Sequence, residues 1–474
     1  MYGLLRSTLL FYLKLRKDLE EFGFEINDYD PCVANKMVNG SQMTVVWHVD
    51  DLKVSHREGR EITKLLLYLG KIYGPNIAVN RGKIHDYLGI DFDFSQEGVV
   101  KLSMMNNIMK IFGDFPEEIG KPCATPASDH LFVIRDPDET ERLGKYLPEE
   151  MAQQFLHTVA QLLFIATRVR RDIQTAVVFL TTRVKKPDED DWGKLKRVLK
   201  YLKGTKYMKL TLSAENLGVI KWWVDASYNA HEDCRGQTGA MMSLGKGAVM
   251  SFSRKQKLNV RSSAEGELVG IDDALPWILW CRYFIESQGY TVEQNILYQD
   301  NKSTILLAKN GRWSGSKRTK HIKARYFYIK DRIEQGDVLI KWAPTDKMWS
   351  NVLTKPKQGK GFRQDHSVLM NCDEDYNDEE ERLQTNKAVL PKQEGPVDAD
   401  TVAGVVPPKQ QGSSPVLLRR SVLGKVHSGT NVTWNASHNR ADGHDEKARM
   451  RHVEVVVARI LRERNRATVK RPKG

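Results

Sequence analysis

VIKWWVDAS (Val219–Ser227), SAEGELVGIDDAL (Ser263–Leu275) and NILYQDNKSTILLAK (Asn295–Lys309) are the stretches whose reading decides the fold. The first is a β-branched and aromatic run that reaches Asp225 at its end. The second has the apolar spacing of a helix, with Leu268, Ile271 and Leu275 on one face and Glu267 in its first turns. The third is a short apolar run ending at Asp300, immediately before a second helical segment. Around these, strand-like runs occupy Val219–Val224, Gly239–Leu244 and Ala248–Phe252. A helix is predicted from Ser263 to Ser287, with Pro276 expected to kink or break it. A strand at Asn295–Gln299, a helix at Lys302–Lys309, a helix near His321–Gln335 and a strand at Val338–Trp342 follow. Three strands and then alternating helices and strands predict a mixed sheet flanked by helices, of α+β or α/β class.

This order of elements gathers three carboxylates. Two strand ends and one helix start can bring Asp225, Glu267 and Asp300 to one edge of a sheet. Cleaving a phosphodiester with metal ions needs such convergence, because one ion activates water while another steadies the leaving oxygen. Hard oxygen ligands suit magnesium, which keeps several of its waters. Taken singly, each of the three is more often a turn or cap residue. Only their combination makes a site.

Upstream, Leu10–Phe22 has near-helical apolar spacing. Ala34–Val38, Asn39-Gly40 and Met43–His48 then spell a hairpin, since Asn-Gly between β-rich runs favours a tight turn. A second turn at His48–Asp51 leads into Leu52–Ser55. Its adjacent aspartates, Asp50 and Asp51, fit a metal-binding hairpin and an ordinary turn equally well. Pro148–Gly204 reads as helical. Phe155, Leu156, Val159, Leu162 and Leu163 mark one apolar stripe, and Asp172 is a candidate cap for a second helix carrying Ile173, Ala176, Val177 and Leu180 inward. A third helix sets Trp192, Leu195, Val198, Leu199 and Leu202 against a basic face containing Lys196, Arg197 and Lys200. That face could meet phosphates or simply be solvated.

The whole chain has 73 Lys and Arg against 60 Asp and Glu, a net charge of +13, which suits a polyanionic partner, nucleic acid first. The five cysteines are scattered without a CxxC pair, which argues against a zinc site or a disulfide framework and for a reducing, intracellular setting. No apolar run is long enough to predict a membrane span. The N-terminus lacks a signal-peptide cleavage pattern. After about Asp365 an acidic stretch, scattered prolines and an arginine-rich end predict a mostly disordered tail, with one possible helix from Glu446 to Arg464.

Several motifs together resemble the pol polyprotein of copia-type LTR retrotransposons. MYGLLRSTLLFY (Met1–Tyr12), WHVDD (Trp47–Asp51) and YLGIDF (Tyr87–Phe92) are similar to the reverse-transcriptase part of that family. RRDIQTAV (Arg170–Val177) and WGKLKRVLKYLKGT (Trp192–Thr205) resemble its connecting segment. VDAS, SSAEGEL, YQDNKS, RTKHIKARY and LTKP then follow in the order of its RNase H domain. The resemblance implies a partial polymerase palm over 1–130, a helical connection over 131–214, an RNase H-like domain over 215–365 and a tail over 366–474. It implies Mg²⁺ or Mn²⁺ held by Asp225, Glu267 and Asp300, with Glu267 fitting the Glu-Leu pattern better than Glu265. His321 lies in the KHI segment, where its role is structural or near the scissile strand. Asp50 and Asp51 match the palm aspartates. The implied partners are an RNA–DNA hybrid and other element-encoded proteins, and no membrane. Two departures stand out. The family's first catalytic motif lies upstream of Met1 and His48 replaces the usual tyrosine, so polymerase activity is not expected of this chain alone. Asn351 stands in WSNVLTKP where the family usually has a fourth carboxylate. Two functions are therefore carried forward: hydrolysis of RNA in RNA–DNA hybrids, and nucleic-acid binding by a non-catalytic remnant.

Overall fold

The computed structural model describes residues 5–74, 77–311, 323–372 and 416–420. His321 and the segment Glu446–Arg464 lie outside the described residues. Three sheets and two hydrophobic cores organise the rest.

The first sheet runs in the order Glu25–Ile26, Val33–Val38, Ser41–His48, Asp51–Ser55, Val416–Arg420, Ile77–Arg81. Its hairpin turns where the sequence places it. Asn39 and Gly40 both adopt positive φ, 49° and 70°, the left-handed pair that a two-residue turn needs to match strand twist. Alternation along Ser41–His48 sends side chains to both faces. Met43, Val45 and Trp47 join Leu15 and Leu19 of the Leu5–Glu21 helix and Leu65 and Leu69 of the Gly59–Tyr73 helix in the smaller core. Val46 and Val33 instead join the larger one. The strand Val416–Arg420, from the segment read as tail, pairs antiparallel with both Asp51–Ser55 and Ile77–Arg81.

The second sheet draws on distant segments: Gly245–Lys246, Leu210–Ala214, Val99–Ser103, Ile90–Asp93 and Ile84–Tyr87, all antiparallel neighbours. The helices Glu149–Ala166, Gln174–Thr181 and Glu189–Gly204 pack in the same larger core. The last begins in a capping box, in which Asp191 N donates to Asp188 Oδ1 at 2.9 Å and Asp188 N donates to Asp191 Oδ2 at 3.1 Å. Its expected apolar face is buried: Trp192, Leu195, Val198, Leu199 and Leu202.

Asp172 does not cap a helix. Ile173 occupies that position without a side-chain cap, and Asp172 turns into the core. It accepts from Arg170 Nε at 3.0 Å and Nη2 at 2.7 Å, and from Tyr201 Oη at 2.6 Å. His366 Nε2 stands 3.7 Å away. A buried guanidinium outcompetes the backbone for this carboxylate because an unpaired buried charge is costlier than an uncapped helix end.

The third sheet has the order Met250–Asn259, Arg235–Ser243, Val219–Ser227, Gln294–Gln299, Leu339–Trp342. The first three strands are antiparallel, and the last two run parallel to the central Val219–Ser227. Ile220, Trp222 and Val224 of that central strand are fully buried. The Ser263–Ser287 helix is continuous through Pro276, so of the expected kink or break the break does not occur. Its buried face, including Leu268, Ile271, Leu275 and Ile278, holds it against the sheet on both sides of the proline. The Gly359–Met370 helix continues past the expected boundary near Asp365 and buries Phe362, Leu369 and Met370 in the same core. Among the described residues, no helix is long and apolar enough to cross a membrane.

Candidate metal centre

Parallel pairing sets the centre. Val219–Ser227 and Gln294–Gln299 share a register in which Trp223 faces Tyr298. Two residues further along come Asp225, still within its strand, and Asp300, just past Gln299, so both lie toward the same end of the sheet. The Ser263–Ser287 helix supplies Glu267. Ser262 caps it, accepting from Glu265 N at 3.3 Å, and the Glu265 carboxylate accepts from Arg261 N at 2.8 Å. Glu265 is thus engaged at the helix start, and Glu267 is the glutamate that turns toward the aspartates.

One ligand atom each from Asp225, Glu267 and Asp300 lies within 4.8 Å of the others. Among the described residues this is the single group of three or more acidic, histidine or cysteine side chains so placed. Asp225 and Glu267 are buried and Asp300 is half-buried. Burial, then the neighbouring charges of Asp225 and Asp300, push the Glu267 carboxyl well above the usual carboxylate range, against the opposing pull of Gln299 and Lys355. Three carboxylates that crowd one another in a partly dry pocket fit a hard divalent cation, whose charge would relieve their repulsion.

Neighbours orient each carboxylate. Gln299 donates from Nε2 to Glu267 Oε2 at 3.1 Å and to the Val224 carbonyl at 3.3 Å, while its Oε1 accepts from Asn301 N at 2.9 Å. Thr345 Oγ1 donates to Asp300 Oδ2 at 2.8 Å, and Trp342 Nε1 donates to the Asp300 carbonyl at 3.1 Å. The Thr354 hydroxyl donates to Asp225 Oδ2. This last contact depends on Gly239, which pairs with Asp225 across the sheet. A Cβ there would stand 2.7 Å from Thr354 Cγ2 and 2.8 Å from Leu353 Cβ, so only glycine lets that segment close on the strand.

Asn351 is buried beside the centre. Its Nδ2 donates to the Thr345 carbonyl at 3.0 Å, and its Oδ1 accepts from Lys355 Nζ at 3.3 Å. It touches the centre's supports, Thr345 and Lys355, and contributes no charge. Gln299, Thr345, Thr354 and Lys355 were not singled out from sequence. Only the quoted LTKP and YQDNKS motifs bracketed three of them.

The other predicted residues lie apart from this group. Asp50 and Asp51 sit at the turn where His48 pairs with Asp51, and Val49 takes a positive φ of 54°. On the third helix, Lys196 Nζ holds Glu117 Oε2 at 2.6 Å and Arg197 Nη2 donates to Thr125 Oγ1 at 2.9 Å. These two therefore clamp the 117–125 segment onto the helix. Lys200 and Arg197 line an open cavity of about 640 Å³ with Lys121, His130, Arg135 and Lys194.

The fold and the site thus define a chain with an acidic, metal-fitting centre at the end of a mixed five-stranded sheet. Comparison with known proteins places it more narrowly: its homologues are copia-type retrotransposon Pol polyproteins. The Retrovirus-related Pol polyprotein from transposon TNT 1-94 of Nicotiana tabacum is 25% identical over 361 residues, covering 75% of this chain and 26% of that one. The corresponding polyprotein from transposon RE2 of Arabidopsis thaliana is 26% identical over 366 residues, covering 77% of this chain and 24% of that one. The Transposon Ty1-LR2 Gag-Pol polyprotein of Saccharomyces cerevisiae is 22% identical over 383 residues, covering 77% and 21%. The chain spans about a quarter of the length of these curated relatives. No family model matches it.

Proposed function

We propose that residues 215–365 form an RNase H-like module that hydrolyses the RNA strand of RNA–DNA hybrids, joined to a partial reverse-transcriptase palm (1–130) and a helical connection (131–214). The observation that carries this reading is the convergence of Asp225, Glu267 and Asp300 within 4.8 Å at one end of the paired parallel strands. The homologous Pol polyproteins support it, as does the +13 charge toward a polyanion. A bound Mg²⁺ or Mn²⁺ would polarise the scissile phosphate and generate hydroxide from its water. Asp225, Glu267 and Asp300 would hold that ion. Gln299 would keep Glu267 oriented, and Thr345 and Thr354 would keep the two aspartates from rotating away. Glu267, held toward its neutral form by burial and by Asp225 and Asp300, would release its proton on metal binding. Lys196, Arg197 and Lys200 belong to the proposed nucleic-acid contacts, with Lys200 and the cavity it lines the more available to phosphate. Asp50 and Asp51 belong to the palm. No third carboxylate joins them among the described residues, and we propose that this chain does not extend primers by itself.

A second reading, binding without turnover, is favoured by Asn351, which leaves the fourth position of the centre uncharged. The test is cleavage of a labelled RNA–DNA hybrid by the purified full chain in Mg²⁺ or Mn²⁺. The enzyme reading expects D225N and D300N each to lower the rate at least about 100-fold. Absence of cleavage by the parent chain, with cleavage restored by N351D, would establish the remnant instead.

A further inference from the structure

Three carboxylates against one uncharged position raise a question of charge that the centre answers with its own lysine. Lys355 Nζ stands 3.5 Å from Asp225 Oδ2 and 3.3 Å from Asn351 Oδ1. The same Asp225 oxygen also accepts from the Thr354 hydroxyl. One oxygen of Asp225 is therefore already committed to a hydroxyl and an ammonium. The amide oxygen of Asn351, the remaining donor on that side, faces the same ammonium. A carboxylate oxygen already facing an ammonium is a poor ligand for a further cation, and a second ion near Asn351 would meet a neutral ligand and a positive charge.

We propose that Lys355 fills one cation position of this centre, so that the chain holds a single divalent ion at Asp225, Glu267 and Asp300, with the Lys355 ammonium in place of a second. The inference rests on the reading of these carboxylates as a metal centre. Lys355 reaches the position from a half-exposed stem, its side chain 47% accessible, while Asp225 is buried. Lys355 and Asn351 act as a unit. The asparagine removes the charge that would have drawn a second ion, and its oxygen accepts from the lysine that takes the ion's place.

The experiment is Mn²⁺ binding to the full chain, followed by the electron paramagnetic resonance signal of free Mn²⁺, with folding checked by circular dichroism. The parent chain is expected to bind one ion at this centre, and D225N to lose it. K355M removes a positive charge beside the ion and is expected to bind Mn²⁺ at least about tenfold more tightly. K355R, which keeps the charge, should match the parent. The double variant N351D/K355M should take up two ions. Two ions bound by the parent and lost in D225N would overturn the inference, as would K355M binding no more tightly than the parent while D225N still loses its ion. In both cases the carboxylate centre would stand. Binding unaltered in D225N would remove the centre itself, and the inference with it.

Discussion

Two groups of buried acids in this chain are built to opposite ends. Around Asp172 every charge has its complement: a guanidinium grips both carboxylate oxygens, a phenol donates to one of them, and an imidazole stands 3.7 Å away. Arg170 and its neighbours hold that carboxyl far below the usual range despite full burial. Around Glu267 the balance runs the other way. Burial and two neighbouring aspartates push its carboxyl up, and the opposing cation, Lys355, lies beside Asp225. Burial is common to both, so burial alone does not mark a functional acid. What differs is whether the protein supplies the counter-charge. A closed network holds structure together, whereas an acidic group short of positive charge is poised to take a cation.

The comparison breaks first at Asp172. D172N leaves the Arg170 guanidinium buried without its partner, and loss of about 3–5 kcal/mol of stability is expected in urea unfolding. A variant as stable as the parent would show that the network is ornamental.

His366 sharpens the same contrast through pH. Its pKa is raised to about 9 by the Asp172 carboxylate 3.7 Å away and by Cys372, against the cost of burial. Because the folded value lies above the unfolded one, the charged imidazole contributes its full stabilisation below about pH 6.5, and the contribution is lost as pH rises toward 9. Asp172, shifted downward, contributes in the opposite sense: its share is present above its unfolded value and lost only in strong acid. Stability of the parent should therefore fall by about 2–3 kcal/mol between pH 6.5 and 9, and H366Q should flatten that slope. An unchanged slope would remove His366 from the network.

These two groups were unequally legible in the sequence. Glu267 and Asp300 fall where a helix begins and a strand ends, and Asp225 two residues before the end of its strand. Local pattern therefore locates Asp225, Glu267 and Asp300. The Asp172 network joins residues 170, 172, 201 and 366, and its members look locally like a basic pair, a cap, a helix tyrosine and a tail histidine. Nothing in local periodicity marks them as partners, and so Asp172 reads as a cap. The same limit hides Thr354 and Lys355, which reach Asp225 from 129 and 130 residues away through a contact that Gly239 permits. It also hides the second sheet, whose strands come from 84–103, 210–214 and 245–246. Pro276 misleads for a related reason. The proline rule concerns an isolated helix, whereas here buried residues on both sides of Pro276 hold one continuous helix on the core.

The smallest expected effect on folding belongs to the acidic centre, and it carries the central claim. Without divalent ions, E267Q replaces a carboxyl whose charged form burial and two aspartates disfavour, and should leave stability unchanged or raise it by about 1 kcal/mol. Thermal unfolding of the full chain and of E267Q, each with and without Mg²⁺, tests this directly. The account predicts that Mg²⁺ raises the Tm of the parent chain, because an ion bound only by the folded state stabilises it, and that the rise is lost in E267Q. A parent Tm indifferent to Mg²⁺, or an equal rise in both proteins, would contradict the claim that Asp225, Glu267 and Asp300 hold a cation.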